Sequence, residues 1–257
     1  MRHSFLDKYS GLDSPIHRLD PRTKILSLFC LILICVSTPA QAYLAFLAYF
    51  IFLAAAIVVS RVPLGYILRR SLIIIPFVLM VAIFIPFLKP NGTAGSSYSL
   101  GIGSLRVYTS GLIVLWNVLA KSCIAVLSVI LLSSTTPFPK LLRGFEQLRV
   151  PKIFIMLASF AYRYVFVLVD EMERMKRARD SRCYGGKWLW HSKVIGQMIG
   201  TLFLRSYQRA ERVYVAMVSR GFQGRTISLG RSRLALADYL VTAAAVSLLI
   251  ALRIILP

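Results

Sequence analysis

Residues 110–134 read SGLIVLWNVLAKSCIAVLSVILLSS, and their one charged side chain is Lys121. An apolar run of that length crosses about 30 Å of hydrocarbon as a single helix. Working outward, further apolar runs cover about 25–39, 42–60, 71–88 and 234–256, the first being the shortest. Together they predict an all-α integral membrane protein with about five transmembrane helices. Composition agrees: of 257 residues 57% are apolar and 16% charged, and the mean hydropathy is +0.70. These figures exclude a disordered chain and argue against a soluble one, which carries about a quarter charged residues.

The charge is lopsided, with 31 Lys+Arg against 10 Asp+Glu. Residues 1–24 hold five Lys/Arg, and 61–70 hold Arg61, Arg69 and Arg70. Residues 135–233 hold 19 Lys/Arg against six acids. The alternate connections are the Pro39-Ala40-Gln41 turn and the Gly/Ser-rich loop 89–109, with only Lys89 and Arg106. Basic residues favour the cytoplasmic side, so the N-terminus is expected inside and the C-terminus outside. Three parts follow: an N-terminal cytoplasmic segment and four spans over 1–134, a cytoplasmic region over 135–233, and a last span over 234–257. Ala40-Gln41-Ala42 resembles a signal-peptidase site. The long polar lead with Pro15 and Pro21, and the span that follows at once, argue against cleavage.

Residues 153–169 and 194–204 are apolar too, but spans there would carry seven Lys/Arg between Arg174 and Lys193 outside. They would also set Arg163 near mid-bilayer, at a cost of several kcal/mol. The reading preferred is long helices at the cytoplasmic membrane surface. Thr136-Pro137-Phe138-Pro139 signals a helix start, and Phe138, Leu141, Leu142, Phe145 and Leu148 follow helical spacing up to Pro151. A long helix is expected over about 152–183, ended by Gly185-Gly186, with Asp170–Arg174 and Glu173–Arg177 in the favourable i,i+4 order. A second is expected over about 193–220, with Gly221 as its stop.

The two helix ends repeat each other. ERMKRARDSRCYGG (173–186) and ERVYVAMVSRGFQG (211–224) share Glu, Arg, Ala, Ser, Arg and the last Gly at an offset of 38 residues. Basic last turns favour arginine and glycine on their own, but that leaves the matching Glu, Ala and Ser unexplained. Ala178 and Ala216, three positions before Ser181 and Ser219, let another backbone approach. Arg182 and Arg220 then project, able to pair bidentately with a carboxylate. Two like knobs imply two like sockets.

These residues resemble the transmembrane (T) component of energy-coupling factor transporters. The resemblance runs through Asp13-Ser14-Pro15-Ile16-His17-Arg18-Leu19-Asp20-Pro21-Arg22-Thr23-Lys24, TTPFPKLLRGFEQLRVP at 135–151, Tyr162-Arg163-Tyr164 and the two arginine signatures. LRSYQRAERVYVAMVSRGFQG at 204–224 is most similar to the cobalt/nickel branch, the CbiQ-like proteins. The resemblance implies a non-catalytic coupling subunit of an ATP-driven importer for cobalt or nickel ions. It implies two cytoplasmic ATP-binding-cassette ATPases that bind the ATP, and a metal-specific substrate-binding (S) membrane subunit. It places the chain as a multi-pass protein in a bacterial or archaeal cell membrane, in contact with lipid. It makes Arg182, Arg220, Ala178, Ala216, Ser181, Ser219 and Gly221 the ATPase-coupling residues on coupling helices within 135–233. Cys183 stands where the first signature usually has glycine.

The rest of the chain carries no competing chemistry. There is no G-x-x-x-x-G-K-[ST] phosphate loop, so no ATP or other cofactor is expected on this chain. His3, His17 and His191 are scattered, and Cys30, Cys35, Cys123 and Cys183 form no CxxC, so no metal site and no catalytic residue are expected. Lys121, one turn from Asn117, is a functional candidate by position. A contact to another helix, or snorkelling, is the plainer reading. Arg253 is expected to snorkel and Asp238 to face an interface. The alternatives are a vitamin-transporter T component, and a basic membrane-anchored protein binding anionic lipid or nucleic acid. The missing RNA-reading aromatic motifs and the acids among the bases argue against nucleic acid.

Overall fold

The computed structural model describes residues 14–85, 97–99, 106–182, 188–224 and 236–255. Its helices in chain order are α1 (Pro15–Arg18), α2 (Pro21–Ser37), α3 (Tyr43–Ser60), α4 (Leu64–Ala82), α5 (Thr109–Thr135), α6 (Phe138–Gln147), α7 (Lys152–Asp180), α8 (Trp188–Val218) and α9 (Leu236–Ile255). The loop before α5 adds one short antiparallel pair, Ser97–Ser99 with Arg106–Tyr108, in which Tyr98 faces Val107. The chain is thus an all-α membrane protein with this small hairpin added. Among the described residues three helices are long and apolar enough to cross a membrane by length and composition: Tyr43–Ser60, Gly111–Thr135 and Lys152–Asp180. The third includes residues 153–169, which were expected at the membrane surface because of Arg163.

The described residues form two compact units, 14–144 with 236–255, and 145–224. The first is a helical bundle. Its core joins Leu31 and Cys35 of α2, Phe46, Tyr49 and Leu53 of α3, Ile124 and Leu131 of α5, and Leu249 of α9. Helices in lipid gain no hydrophobic driving force from meeting, so close packing and interhelical hydrogen bonds must hold them. Small side chains supply the first: Ala45 and Ser128 are fully buried. Outward-facing residues such as Leu72, Ile73 and Phe77 on α4 are exposed and apolar, as a hydrocarbon surround requires. Arg69 and Arg70 lie inside α4 rather than in the connection before it, and Arg70 donates to the Tyr66 hydroxyl one turn back (2.7 Å).

Polar contacts supply the second. The stretch 14–24 is a run of caps. Ser14 accepts from the His17 amide at α1, and Asp20 accepts from the Arg22 amide at α2, each ahead of a proline in the first turn. Lys24 is buried and donates to the carbonyls of His17 and Thr135 and to the Thr136 hydroxyl. It thereby satisfies an open carbonyl where α5 ends. At the other end of α2 the roles reverse. Lys121 of α5 donates to the carbonyls of Val36 and Thr38 (2.8 Å each), and Arg253 of α9 donates to that of Ser37 (3.4 Å). Lys121 is therefore a contact to another helix, and Arg253 reaches the same helix end. Buried Asp238 accepts from the Asp20 amide, joining α9 to the start of α2. Cys30, Cys35 and Cys123 are free thiols.

α6 lies on the start of α2, with Leu142 and Gly144 buried. A Cβ on Gly144 would stand 2.9 Å from Ile25 Cδ1 and 3.2 Å from Pro21 Cβ, so any side chain there must push the tip of Ile25 aside. α6 ends with Arg149 in the left-handed region (φ 67°), its amide bonded to Glu146 and that of Val150 to Phe145.

Candidate functional site

The second unit consists of α7, α8 and the end of α6. Met156 of α7 shares a cleft with Met217 and Phe222, while Met175 shares another with Val194 and Met198, so α7 and α8 run antiparallel. No described residue of α7 is buried. Between the two clefts Glu171 accepts from Arg205 of α8 and pairs with Arg174 on its own helix (2.9 Å). The Arg205 hydrogen bond holds the Glu171 carboxyl below its ordinary value. Desolvation opposes that shift, and the charges of Arg174, Arg205 and Arg209 add to it.

This differs from the expected charge pattern. Glu171 ties the helices together through Arg205, and Glu173 makes no ion pair with Arg177 among the described residues. Arg205, Arg209 and Arg212 fall at i, i+4 and i+7, one face of α8. That spacing, opposite a helix that carries Asp170, Glu171, Glu173 and Asp180, is the signal in the sequence that marks the contact. Of Tyr162-Arg163-Tyr164, Tyr162 packs edge-on against Phe166 (5.1 Å), Arg163 is exposed and Tyr164 lines the cleft with Met217.

The repeated signatures wind alike. The Ser181 amide bonds to Arg177 O and the Ser219 amide to Val215 O, four residues back in each. The Arg182 amide bonds to Arg179 O and the Arg220 amide to Met217 O, three residues back in each. Both serine hydroxyls donate back into their own last turn, to Ala178 O and Val215 O. The last turn therefore tightens at the arginine in both. Ala178, Ser181, Arg182, Ala216, Ser219, Arg220 and Gly221 are all exposed. Neither Arg182 nor Arg220 has an ion pair among the described residues.

The second end closes fully. Gly221 has φ +78°, its amide bonds to Val218 O, and the Phe222 amide reaches Met217 O. This is the pattern in which a left-handed glycine satisfies the last carbonyls and the following apolar residue folds back. At the first end Cys183 and Gly185-Gly186 lie outside the described residues. The two signatures sit at opposite ends of the antiparallel pair. Measured from the Glu171–Arg205 contact at 1.5 Å per residue, Arg182 and Arg220 stand up to roughly 40 Å apart. Among the described residues no group of three His, Cys, Asp or Glu could hold a metal ion.

A family model described as CbiQ, cobalt transport protein, matches residues 13–229. The chain is 30% identical over 265 residues to the energy-coupling factor transporter transmembrane protein EcfT of Heliobacterium modesticaldum, covering 93% of this chain and 92% of that one. It is 26% identical over 235 residues to the protein of the same name in Bacillus subtilis, covering 87% and 86%. It is 26% identical over 229 residues to a protein of Methanocorpusculum labreanum named as a fused cobalt transport protein, CbiMQ, covering 86% of this chain and 38% of that one.

Proposed function

The chain belongs to the CbiQ family of cobalt transport proteins, and from that premise we propose that Arg182 and Arg220 couple the motion of two ATPase subunits to transport. It is a transmembrane component of an energy-coupling factor transporter, working with ATP-binding subunits and a substrate-binding membrane subunit. The ATPases number two, one for each signature, and they bind the ATP. This chain binds no cofactor and performs no catalysis of its own. The cargo is cobalt or nickel, held by the substrate-binding subunit; the family description and the fused relative's name support this metal class. The chain crosses a bacterial or archaeal cell membrane five times, with its N-terminus and residues 135–233 in the cytoplasm.

The observation that carries the coupling role is the matched winding of the two helix ends, each exposing Ala-x-x-Ser-Arg. An arginine forked onto a partner carboxylate at a desolvated interface is a common hot spot, and removing it costs about 2–5 kcal/mol. ATPase closure then pulls on two points of one helix pair.

The test is co-purification of the ATPases and cobalt uptake by cells expressing the whole transporter. Arg182→Ala and Arg220→Ala should each weaken both, and the double change should abolish uptake while the chain still inserts. Arg→Lys keeps the charge without the fork and should be partly active. Arg174→Ala and Lys187→Ala should do much less. Equal loss in all four single alanine variants would mean diffuse charge, and full activity of the double variant would end the coupling role. A cysteine probe at 187 should label only from inside and one in loop 89–109 from outside; labelling of 187 from outside would overturn the topology.

A further inference from the structure

Both stretches of chain that join the bundle to residues 145–224 meet the start of α2. The chain leaves the bundle at the end of α5 and along α6, and it returns at α9. At the exit, Lys24 donates to Thr135 O (3.2 Å) and to the Thr136 hydroxyl (3.4 Å). Its third bond holds His17 O (3.3 Å), within α1. Gly144 of α6 then packs against Pro21 and Ile25, on the same turn of α2. At the return, the Asp238 carboxylate accepts from the Asp20 amide (3.2 Å). Lys24, Asp20 and Asp238 are all buried. The outer end of α2 has polar contacts of the same kind, from Lys121 and Arg253, but no connection to 145–224 passes there.

Packed apolar helices can shear past one another in small steps, because one apolar contact replaces another. A buried ammonium cannot, since leaving its acceptors strands a charge in an apolar surround. We propose that the start of α2 is the joint through which motion of the coupling region reaches the bundle, with Lys24 as its positioning residue. Lys24 keeps the end of α5 and the approach to α6 fixed on α2. A pull along α6 then moves the bundle instead of being lost in slack between helices, and Asp238 makes the returning chain move with it. The joint rests on the coupling role proposed above.

The test uses the whole transporter in proteoliposomes and reads cobalt taken up per ATP hydrolysed. A merely structural contact sets how much transporter assembles and leaves that ratio alone. Lys24→Met should leave the ATPases bound and hydrolysing while the ratio falls about fivefold or more. Lys24→Arg, which keeps the charge and its donors, should recover part of it. Thr136→Val, which removes one of the three acceptors, should lower it less. Lys121→Met, a loss of the same kind at the outer end, should lower the yield and leave the ratio unchanged. Proportional loss of uptake and hydrolysis in Lys24→Met, or an equal fall of the ratio in Lys121→Met, would overturn the joint. A second measurement needs neither variant nor cargo. In the unaltered transporter, a non-hydrolysable ATP analogue should change hydrogen exchange at residues 22–25 and 135–136 and leave 36–38 as they were. No change at 22–25 would overturn the joint even if Lys24→Met failed to assemble. Full uptake by Arg182→Ala/Arg220→Ala would end the coupling role itself, whereas failure at Lys24 alone leaves that role standing.

Discussion

The two units solve opposite problems. In the bundle, polar groups are inside: Lys24, Asp20 and Asp238 are buried, and each has partners. In the α7–α8 unit, apolar groups are outside, and no described residue of α7 is buried. Lipid tails are as apolar as leucine, so an apolar face cannot choose its neighbour within a bilayer. Hydrogen bonds from Lys24, Lys121 and Arg253 to specific carbonyls can. The helix pair leaves many of its apolar side chains exposed, and Arg182 and Arg220 with them. One region holds its own shape; the other is made to be held.

The sharpest way to break this contrast is to remove function from one unit and stability from the other. Arg182→Ala/Arg220→Ala should abolish metal uptake while shifting the stability of the detergent-solubilised chain by less than about 0.5 kcal/mol, as exposed substitutions do. Lys121→Met should do the reverse. It leaves the carbonyls of Val36 and Thr38 without their donor at membrane depth, a loss of about 1–3 kcal/mol, read as a lower midpoint of thermal unfolding. Lys121→Arg should recover part of it. If Lys121→Met left the midpoint unchanged, the bundle would not depend on its polar contacts.

Gly144→Val tests the seat of α6 on α2. Its side chain meets Ile25 and Pro21 closer than van der Waals contact, and overpacking of this kind costs about 1–3 kcal/mol. Gly144→Ala should cost less, and faster protease cleavage near Arg149 would report the loosened helix. Arg149→Gly works in the opposite direction. It relieves a left-handed residue and should stabilise by about 0.5–1 kcal/mol, seen as a small rise in the same midpoint.

The smallest effect concerns pH. Glu171 has its carboxyl held below the ordinary value in the folded chain. Its contribution is therefore present above the unfolded value and is lost as pH falls through the folded one. Acidification across that window should speed hydrogen exchange in α7 and α8 but not in α3 and α5. Glu171→Gln should remove the pH dependence. Equal acceleration in both units would erase the contrast.

Much of this was legible in the sequence, because apolar length survives any folding. The runs at 42–60, 110–134 and 234–256 match α3, α5 and α9 to within two residues. Gly221 was legible as a stop because a left-handed C-terminal residue is a local requirement. The contacts that lock the bundle were not. Lys24 to Thr135, Lys121 to Thr38 and Asp20 to Asp238 join positions far apart in the chain, and no periodicity records them. Ser14-Pro15 and Asp20-Pro21 did carry local cap signals ahead of their helices. At the signatures the shared residues were visible, but their equal winding appears only in the amide bonds. Glu171 was one of three neighbouring acids, and only the opposite helix selects it.

Consider α2 as something that has to be synthesised. It spans about 25 Å, short for a bilayer. The amide of its N-cap Asp20 and its last carbonyls wait for Asp238, Lys121 and Arg253, which the ribosome makes far later. An early helix is thus completed by helices made well after it. Until α9 is inserted, the Asp20 amide and the Ser37 carbonyl lack these partners, and assembly of the bundle waits for α9. A quality-control protease would find its target in chains that stall before α9, long before any ATPase could dock on them.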